Sequence, residues 1–222
     1  MLLALDTSTS QLGMALYGEA SVLGELCWTT SLRHTHELAP ALQSLLARCG
    51  KAISDVQAIG VAVGPGSFTS LRVGLTFSKG LALARSLPIV GIPTLDITAR
   101  GVPNTDRKLI AVLQAGRGRL AVIWYEPVDG AWKAQGVARV MTAAELESMI
   151  NSPVIICGEL SAEDRHHLAR RYKNVRLASP AQCVRRPAIL AELAWERWQS
   201  GTVDSISTLA PIYLHTAGGV PA

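Results

Sequence analysis

No apolar run in this 222-residue sequence comes near the roughly 20 residues that a membrane-spanning helix requires, which excludes a helical membrane protein. The opening Met1–Leu5 is too short and too uncharged for a secretory signal, and Asp6 interrupts it, so the cytoplasm is the expected location and no membrane partner is expected. The four cysteines, Cys27, Cys49, Cys157 and Cys183, include no CxxC pair. Zinc and redox motifs are therefore without support, and reduced, mostly buried thiols are expected. Charged residues are scarce at 17%, but hydrophobic residues reach 49%, a balance that excludes disorder and supplies real cores. The net charge of +4 and pI of about 9.0 are compatible with RNA contact. No long Lys/Arg run or basic stripe studded with aromatics accompanies them, so the basic balance reads as a solvated surface. The 19 glycines follow no period, which excludes collagen-like and low-complexity chains.

What the sequence does contain is an alternation of short apolar runs and helical patterns. Met1–Asp6 has no polar alternation and reads as a strand buried on both faces, and Gly13–Tyr17 and Ala20–Thr30 continue it as a meander. In His36–Cys49, Leu38, Leu42, Leu45 and Leu46 fall on one helical face; Gly50 stands at the C-cap, and Pro40 is expected in the first turn. Ile59–Val63 is a strand, Ser67 caps a helix to about Arg85, Ile89–Gly91 is a strand and Thr94–Arg100 a helix. After a polar stretch at Pro103–Lys108 the theme repeats. Strands are expected at Leu109–Leu113, Leu120–Tyr125 and Val154–Cys157, and helices after Thr142 and Ser161 and over Pro187–Gln199, before Gly201. The element order predicts two similar α/β lobes with mixed sheets, over 1–104 and 105–222.

Recognisable catalytic patterns are missing. Gly64-Pro-Gly-Ser-Phe-Thr69 follows a strand and opens a helix, but it ends in Thr69 where a dinucleotide fingerprint needs Gly, and Asp96 is too far along for a ribose contact. No Gly-Lys-Ser/Thr makes it a P-loop, and Ser67 lacks the Gly of a nucleophile elbow. His34 and His36 are two apart with Pro40 beyond, which is not the spacing of a helical zinc pair, so no metal is expected. Two features keep two readings each. The loop Asp6, Thr7, Ser8, Thr9 and Ser10 either cradles a phosphate with hydroxyls and backbone amides or is a hairpin satisfying its own turn. Ser70, Gly74, Ser78 and Ala82 form a stripe of small side chains at helical spacing, which packs either on the chain's own sheet or on another subunit.

Leu3-Ala-Leu-Asp-Thr-Ser-Thr9, Gly64-Pro-Gly-Ser-Phe-Thr-Ser-Leu-Arg-Val-Gly74 with Lys79-Gly-Leu-Ala-Leu83, and Pro211-Ile-Tyr-Leu214, in this order, resemble the TsaB (YeaZ) family. The resemblance implies an actin/sugar-kinase/Hsp70-like (ASKHA) fold of two lobes. It implies a non-catalytic subunit required to put threonylcarbamoyl on adenosine 37 of tRNA, with no cofactor of its own beyond room for weak ATP or ADP binding. The implied partners are a metal-containing TsaD-like catalytic paralogue, a TsaE-like ATPase, a second copy of the chain when alone, and tRNA only through the complex. The paralogue carries an HxxxH metal pair, which His34 and His36 do not match. The two first-lobe helices form the family's pairing face, so His36, Leu38, Leu42, Ser70, Leu71, Gly74 and Ser78 are the expected interface. Gly74→Leu is then expected to break pairing and leave the monomer folded. Asp6, Thr7, Ser8 and Thr9 are the candidate nucleotide contacts, and Gly64, Pro65, Gly66 and Ser67 the motif turn.

The second lobe departs from the family pattern. Where the family shows Asp-Ala-Arg-x-Gly-Glu-Val-Tyr, this chain has Gln114-Ala-Gly-Arg-Gly-Arg-Leu-Ala121, and His215 stands where the late motif often ends in Arg. Two alternatives come from other classes. One is an active phosphotransferase or ATPase of the same fold working through Asp6 and the Thr7–Ser10 loop. The other is an RNA-binding module using Arg117, Arg119, Arg170 and Arg171.

Overall fold

The computed structural model describes residues 1–30, 34–170 and 173–214. They divide into two compact units, Met1–Thr94 with Arg186–Ile212, and Leu95–Arg185 with the residues from Tyr213. The break expected at 104/105 is therefore corrected. The chain crosses at Thr94, and Arg186–Ile212 returns to the first unit, because its helix fills the open face of the first sheet.

In unit 1, β1 (Leu2–Asp6), β2 (Gln11–Gly18) and β3 (Ser21–Thr29) form an antiparallel meander. Beside β1 lie β4 (Ala58–Gly64) and then β5 (Ile89–Pro93), both parallel, in the order β3-β2-β1-β4-β5. All of β1 is buried because both faces are covered. Leu3 and Leu5 belong to the cluster that α1 (His34–Arg48) and α2 (Phe68–Arg85) complete through Leu38, Leu42, Leu45, Leu46, Leu75 and Ala82. The other face receives α6 (Pro187–Gln199). Pro187 lies against Gly13, and Ala194 against Gly60, where an added Cβ would stand 2.6 Å from that of Ala194. Helix α1 starts at His34, two residues earlier than expected, so Pro40 sits beyond the first turn; it is exposed there, which lets solvent serve the carbonyl it leaves without a donor.

Unit 2 repeats the plan. Strands β6 (Lys108–Gln114), β7 (Leu120–Val128) and β8 (Ala131–Met141) form the meander, and β9 (Val154–Gly158) and β10 (Val175–Leu177) lie parallel beyond β6, in the order β10-β9-β6-β7-β8. One face packs Leu95 and Ala99 of α3 (Thr94–Arg100); the other packs Ala143 and Leu146 of α4 (Ala143–Met149) and Leu168 of α5 (Ala162–Ala169). The Thr142 capping box forms as its spacing predicts: Thr142 N–H donates to Glu145 Oε2 at 2.6 Å, and Glu145 N–H to Thr142 Oγ1 at 3.2 Å. The two sheets share one topology, so the duplication inferred from element order is real at the level of the fold. Strand β8, an outer strand carrying Lys133, Gln135 and Arg139, is exposed over most of its length and its apolar alternation breaks at Gly136-Val137, so it is not among the strands expected from the sequence.

Candidate functional site

Parallel pairing brings the C-terminal ends of β1, β4 and β5 to one edge of the first sheet, the edge where α/β sheets place ligand sites. Asp6, Gly64 and Pro93 close those strands, and the motif residues follow directly after them. Asp6 is buried, and its Oδ1 accepts the Ser8 N–H at 2.8 Å. Thr7 Oγ1 donates to the Ser70 carbonyl at 2.7 Å. Ser8 Oγ shares a 2.8 Å hydrogen bond with Thr94 Oγ1, which also accepts the Gly64 N–H at 3.1 Å. Thr9 Oγ1 accepts the Gln11 N–H at 3.2 Å, and its carbonyl is 3.0 Å from His34 Nε2.

The turn Gly64-Pro65-Gly66-Ser67 closes on this loop. Ser67 N–H donates to the Ser8 carbonyl at 2.7 Å, and Ser67 Oγ caps α2 by accepting the Ser70 N–H at 3.5 Å. A Cβ at Gly66 would overlap the Ser8 carbonyl, and one at Gly74 would overlap Thr7 Oγ1, so both positions demand glycine by close approach. Gly64 adopts φ +107°, and a Cβ there would stand 2.6 Å from the Ile212 carbonyl. Ile212 N–H in turn donates to Val63 O at 2.7 Å. Three stretches separated by up to two hundred residues thus lock into one polar knot at the sheet edge.

This geometry corrects two expectations. Thr7, Ser8 and Thr9 are almost fully buried and direct their hydroxyls into the chain, so the loop is an interlock in place of an open phosphate cradle. The stripe of Ser70, Leu71, Gly74, Ser78 and Ala82 is buried against the unit's own loop and sheet, as are Leu38 and Leu42, so these residues are not a docking face. Of the expected interface residues only His36 is exposed. Gly74→Leu would disrupt the monomer itself.

The outward side of α2 is different. Phe68, Thr69, Arg72, Thr76, Gly80, Leu83 and Ala84 are exposed, with Leu83 67% accessible and the Arg72 guanidinium 5.1 Å from the centre of the Phe68 ring. Gly80 has open space where a Cβ would stand, so nothing in the described chain requires a glycine there. Alanine would favour the helix by about 1 kcal/mol. Helix α1 exposes Ala39, Pro40, Gln43, Ser44 and Ala47.

Sequence reasoning missed two organising residues. Thr94 joins the loop to the turn, and only the β4–β5 pairing places it there. Glu37 accepts from Trp28 Nε1 at 2.7 Å and from Thr30 Oγ1 at 2.9 Å, tying β3 to the start of α1; a lone Glu in a helix's first turn carries no such signal. Among the described residues no group of three His, Cys, Asp or Glu is placed to hold a metal ion. No helix among them is long and apolar enough to cross a membrane.

In unit 2 the altered stretch Gln114–Ala121 forms the β6–β7 hairpin. Ala115 N–H donates to Arg119 O at 2.8 Å, and Gly116, Arg117 and Gly118 all take positive φ. Arg117, Arg119 and Arg170 are exposed, while Arg171 and His215 lie outside the described residues. Gln114 Nε2 donates to Asp164 at 3.2 Å. Asp96 sits against Tyr125, whose O–H donates to it at 2.6 Å; burial raises the Asp96 pKa, and the hydrogen bond offsets part of the rise.

Comparison with known proteins agrees with this architecture. A family model described as "TsaD: tRNA N6-adenosine threonylcarbamoyltransferase" matches residues 28–178, more than half of the chain. The chain belongs to this family, among its TsaB (YeaZ) members. It is 33% identical over 147 residues to the Escherichia coli tRNA threonylcarbamoyladenosine biosynthesis protein TsaB, a match covering 63% of this chain and 62% of that protein. The matched part is thus less than two thirds of the curated relative's length. The solved structure of YeaZ from Pseudomonas aeruginosa superposes with TM-score 0.75 at 23% identity, covering 96% of this chain and 99% of that one. The ROK hexokinase from Thermus thermophilus reaches 0.52 at 11% identity, over 89% of this chain and 99% of that one. The fold is therefore the ASKHA fold, two similar lobes with mixed sheets.

Proposed function

We propose that this chain is a non-catalytic, cytoplasmic subunit of the machinery that puts threonylcarbamoyl on adenosine 37 of tRNA. It docks a TsaD-like catalytic paralogue through the outward faces of α1 and α2, and the pair recruits a TsaE-like ATPase. Alone, it pairs with a second copy through the same face, since paralogous partners share shape. Transfer RNA is met through the complex.

The observation that carries this reading is the outward face of α2. Leu83 and Phe68 are exposed, and Gly80 is tolerated in mid-helix with none of the described residues above it. A glycine that costs helix stability and serves no contact among the described residues is explained by another helix approaching closely. The polar knot supports the same role. It aligns α2 rigidly on the sheet edge and engages the hydroxyls that an ATPase or phosphotransferase of this fold would turn toward nucleotide.

The test is to mix the chain with the paralogue and the ATPase of the same organism and follow size by light scattering, with and without ATP. A defined heteromer is expected, lost with Gly80→Leu, while that variant keeps the wild-type circular dichroism. No complex under any nucleotide condition would overturn the reading. Steady ATP hydrolysis by the isolated chain that Asp6→Ala abolishes would install the enzymatic alternative in its place.

A further inference from the structure

The four cysteines show no pairing in the sequence, yet the fold brings two of them together. Cys157 is the penultimate residue of β9, fully buried, and Cys183 lies 26 residues on, in the turn between β10 and α6; their sulfurs are 3.9 Å apart. We propose that Cys157 and Cys183 are a reactive dithiol that a hydroperoxide oxidises to an intramolecular disulfide. This inference concerns unit 2 and does not depend on the role proposed above.

The surroundings divide the labour between the two sulfurs. Cys183 is half-buried and so the one an oxidant reaches, whereas Cys157 is sealed in the core. Three donors converge on Cys183 Sγ. The Cys157 thiol lies at 3.9 Å, the Gly158 backbone N–H donates at 3.4 Å, and the Arg165 guanidinium of α5 stands at 4.0 Å. Arg165 is held in place because its other terminal nitrogen donates to the Ala178 carbonyl at 2.8 Å. Hydrogen bonds and positive charge on a thiolate lower its pKa, here to about 6, with the Cys157 hydrogen bond the largest cause; that same hydrogen bond, then burial and the adjacent thiolate, raise that of Cys157. Cys157 also points at the Gln182 carbonyl, 3.4 Å away, so both sulfurs are held at the same turn.

The chemistry balances. The Cys183 thiolate attacks one oxygen of the hydroperoxide, the O–O bond breaks, and the departing oxygen leaves as hydroxide or alkoxide and takes up a proton. Cys183 is then a sulfenic acid. The Cys157 sulfur attacks the sulfenyl sulfur, the S–O bond breaks, and the thiol proton leaves with the hydroxide as water. Two thiols lose two hydrogens, and the peroxide is reduced to two hydroxyl products. Bond formation needs the sulfurs to close from 3.9 Å to about 2.0 Å. Cys183 can supply that movement, because its residue sits in a turn and not in a helix or strand. The bond would staple the turn before α6 to the end of β9.

The experiment uses the reduced full-length chain with limiting hydrogen peroxide, read by intact mass and peptide mapping. The expected result is loss of two hydrogens in a Cys157–Cys183 cross-link that dithiothreitol reverses, with Cys27 and Cys49 still free. In Cys157→Ser, oxidation should stop at a sulfenic acid on Cys183, trapped by dimedone. Independently, the rate of iodoacetamide labelling at Cys183 should rise with a midpoint near pH 6 in the wild type and at higher pH in Cys157→Ala, which lacks the Cys157 donor. Cross-links to Cys27 or Cys49, between chains, or peroxide resistance of both thiols at concentrations that oxidise Cys27 or Cys49 would overturn the proposal.

Discussion

Gly74→Ala separates an inward-facing stripe from an outward one. On an unencumbered helix this change is stabilising, since alanine favours mid-helix over glycine by about 1 kcal/mol. Here the new methyl would overlap Thr7 Oγ1, with Thr7 Cγ2 and Cβ at 3.0 and 3.1 Å. Thr7 cannot swing aside freely, because its hydroxyl donates to Ser70 O at 2.7 Å in a fully buried setting. Breaking that bond strands a buried hydroxyl at about 1–3 kcal/mol, and keeping it forces an overpacked backbone at a similar cost. Against the helix gain, the net is a loss of about 1 kcal/mol, or a Tm lower by about 2–4 °C for a chain of this size. Urea unfolding followed by tryptophan fluorescence measures it, since Trp195 and Trp198 stand on α6 of the same unit. Gly80→Ala on the same helix is the control and should stabilise by about 0.5–1 kcal/mol, because its Cβ meets open space. Adding Thr7→Ala to Gly74→Ala should recover part of the loss. If Gly74→Ala stabilises as Gly80→Ala does, the close packing of loop and helix is wrong.

Glu37→Ala removes the acceptor of both Trp28 and Thr30 and should cost about 2–3 kcal/mol, measured as a shift of the urea midpoint. Asp96→Asn keeps an acceptor for the Tyr125 O–H but removes a carboxyl whose folded pKa is raised by burial. Above the ordinary Asp range, near pH 4, the folded chain holds a proton that the unfolded chain has released, so wild-type stability falls as pH rises through that window. The variant should therefore gain on the wild type between about pH 4 and neutrality, and parallel stability curves would contradict the burial of this carboxyl. Thr142→Ala removes the Oγ1 acceptor of the capping box and should lower stability by about 1 kcal/mol, checked by thermal melting.

Most local elements, β8 excepted, and the double-sided burial of β1 are legible in the residues alone. The unbroken apolar run of β1 required cover on both faces, Ser67 and Thr142 announced their helices, and the twice-repeated order of elements implied two like lobes. These are short-range properties, set by periodicity and by side chains that reach a few residues along the chain. Tertiary structure decided which way the α2 stripe faces. Spacing places Ser70, Gly74 and Ser78 on one side of a helix but cannot say whether that side meets Thr7 or a partner. It also decided that the phosphate-like loop is filled from within, that Thr94 bridges loop and turn, and that α6 crosses back to the first sheet. The approach of Cys157 to Cys183 belongs to the same class, since it follows from where β9 ends and where the turn before α6 passes. The physical reason is common to all of these. Each depends on contacts between residues far apart in sequence, whose partners are fixed only when strand order, register and helix side have been chosen together.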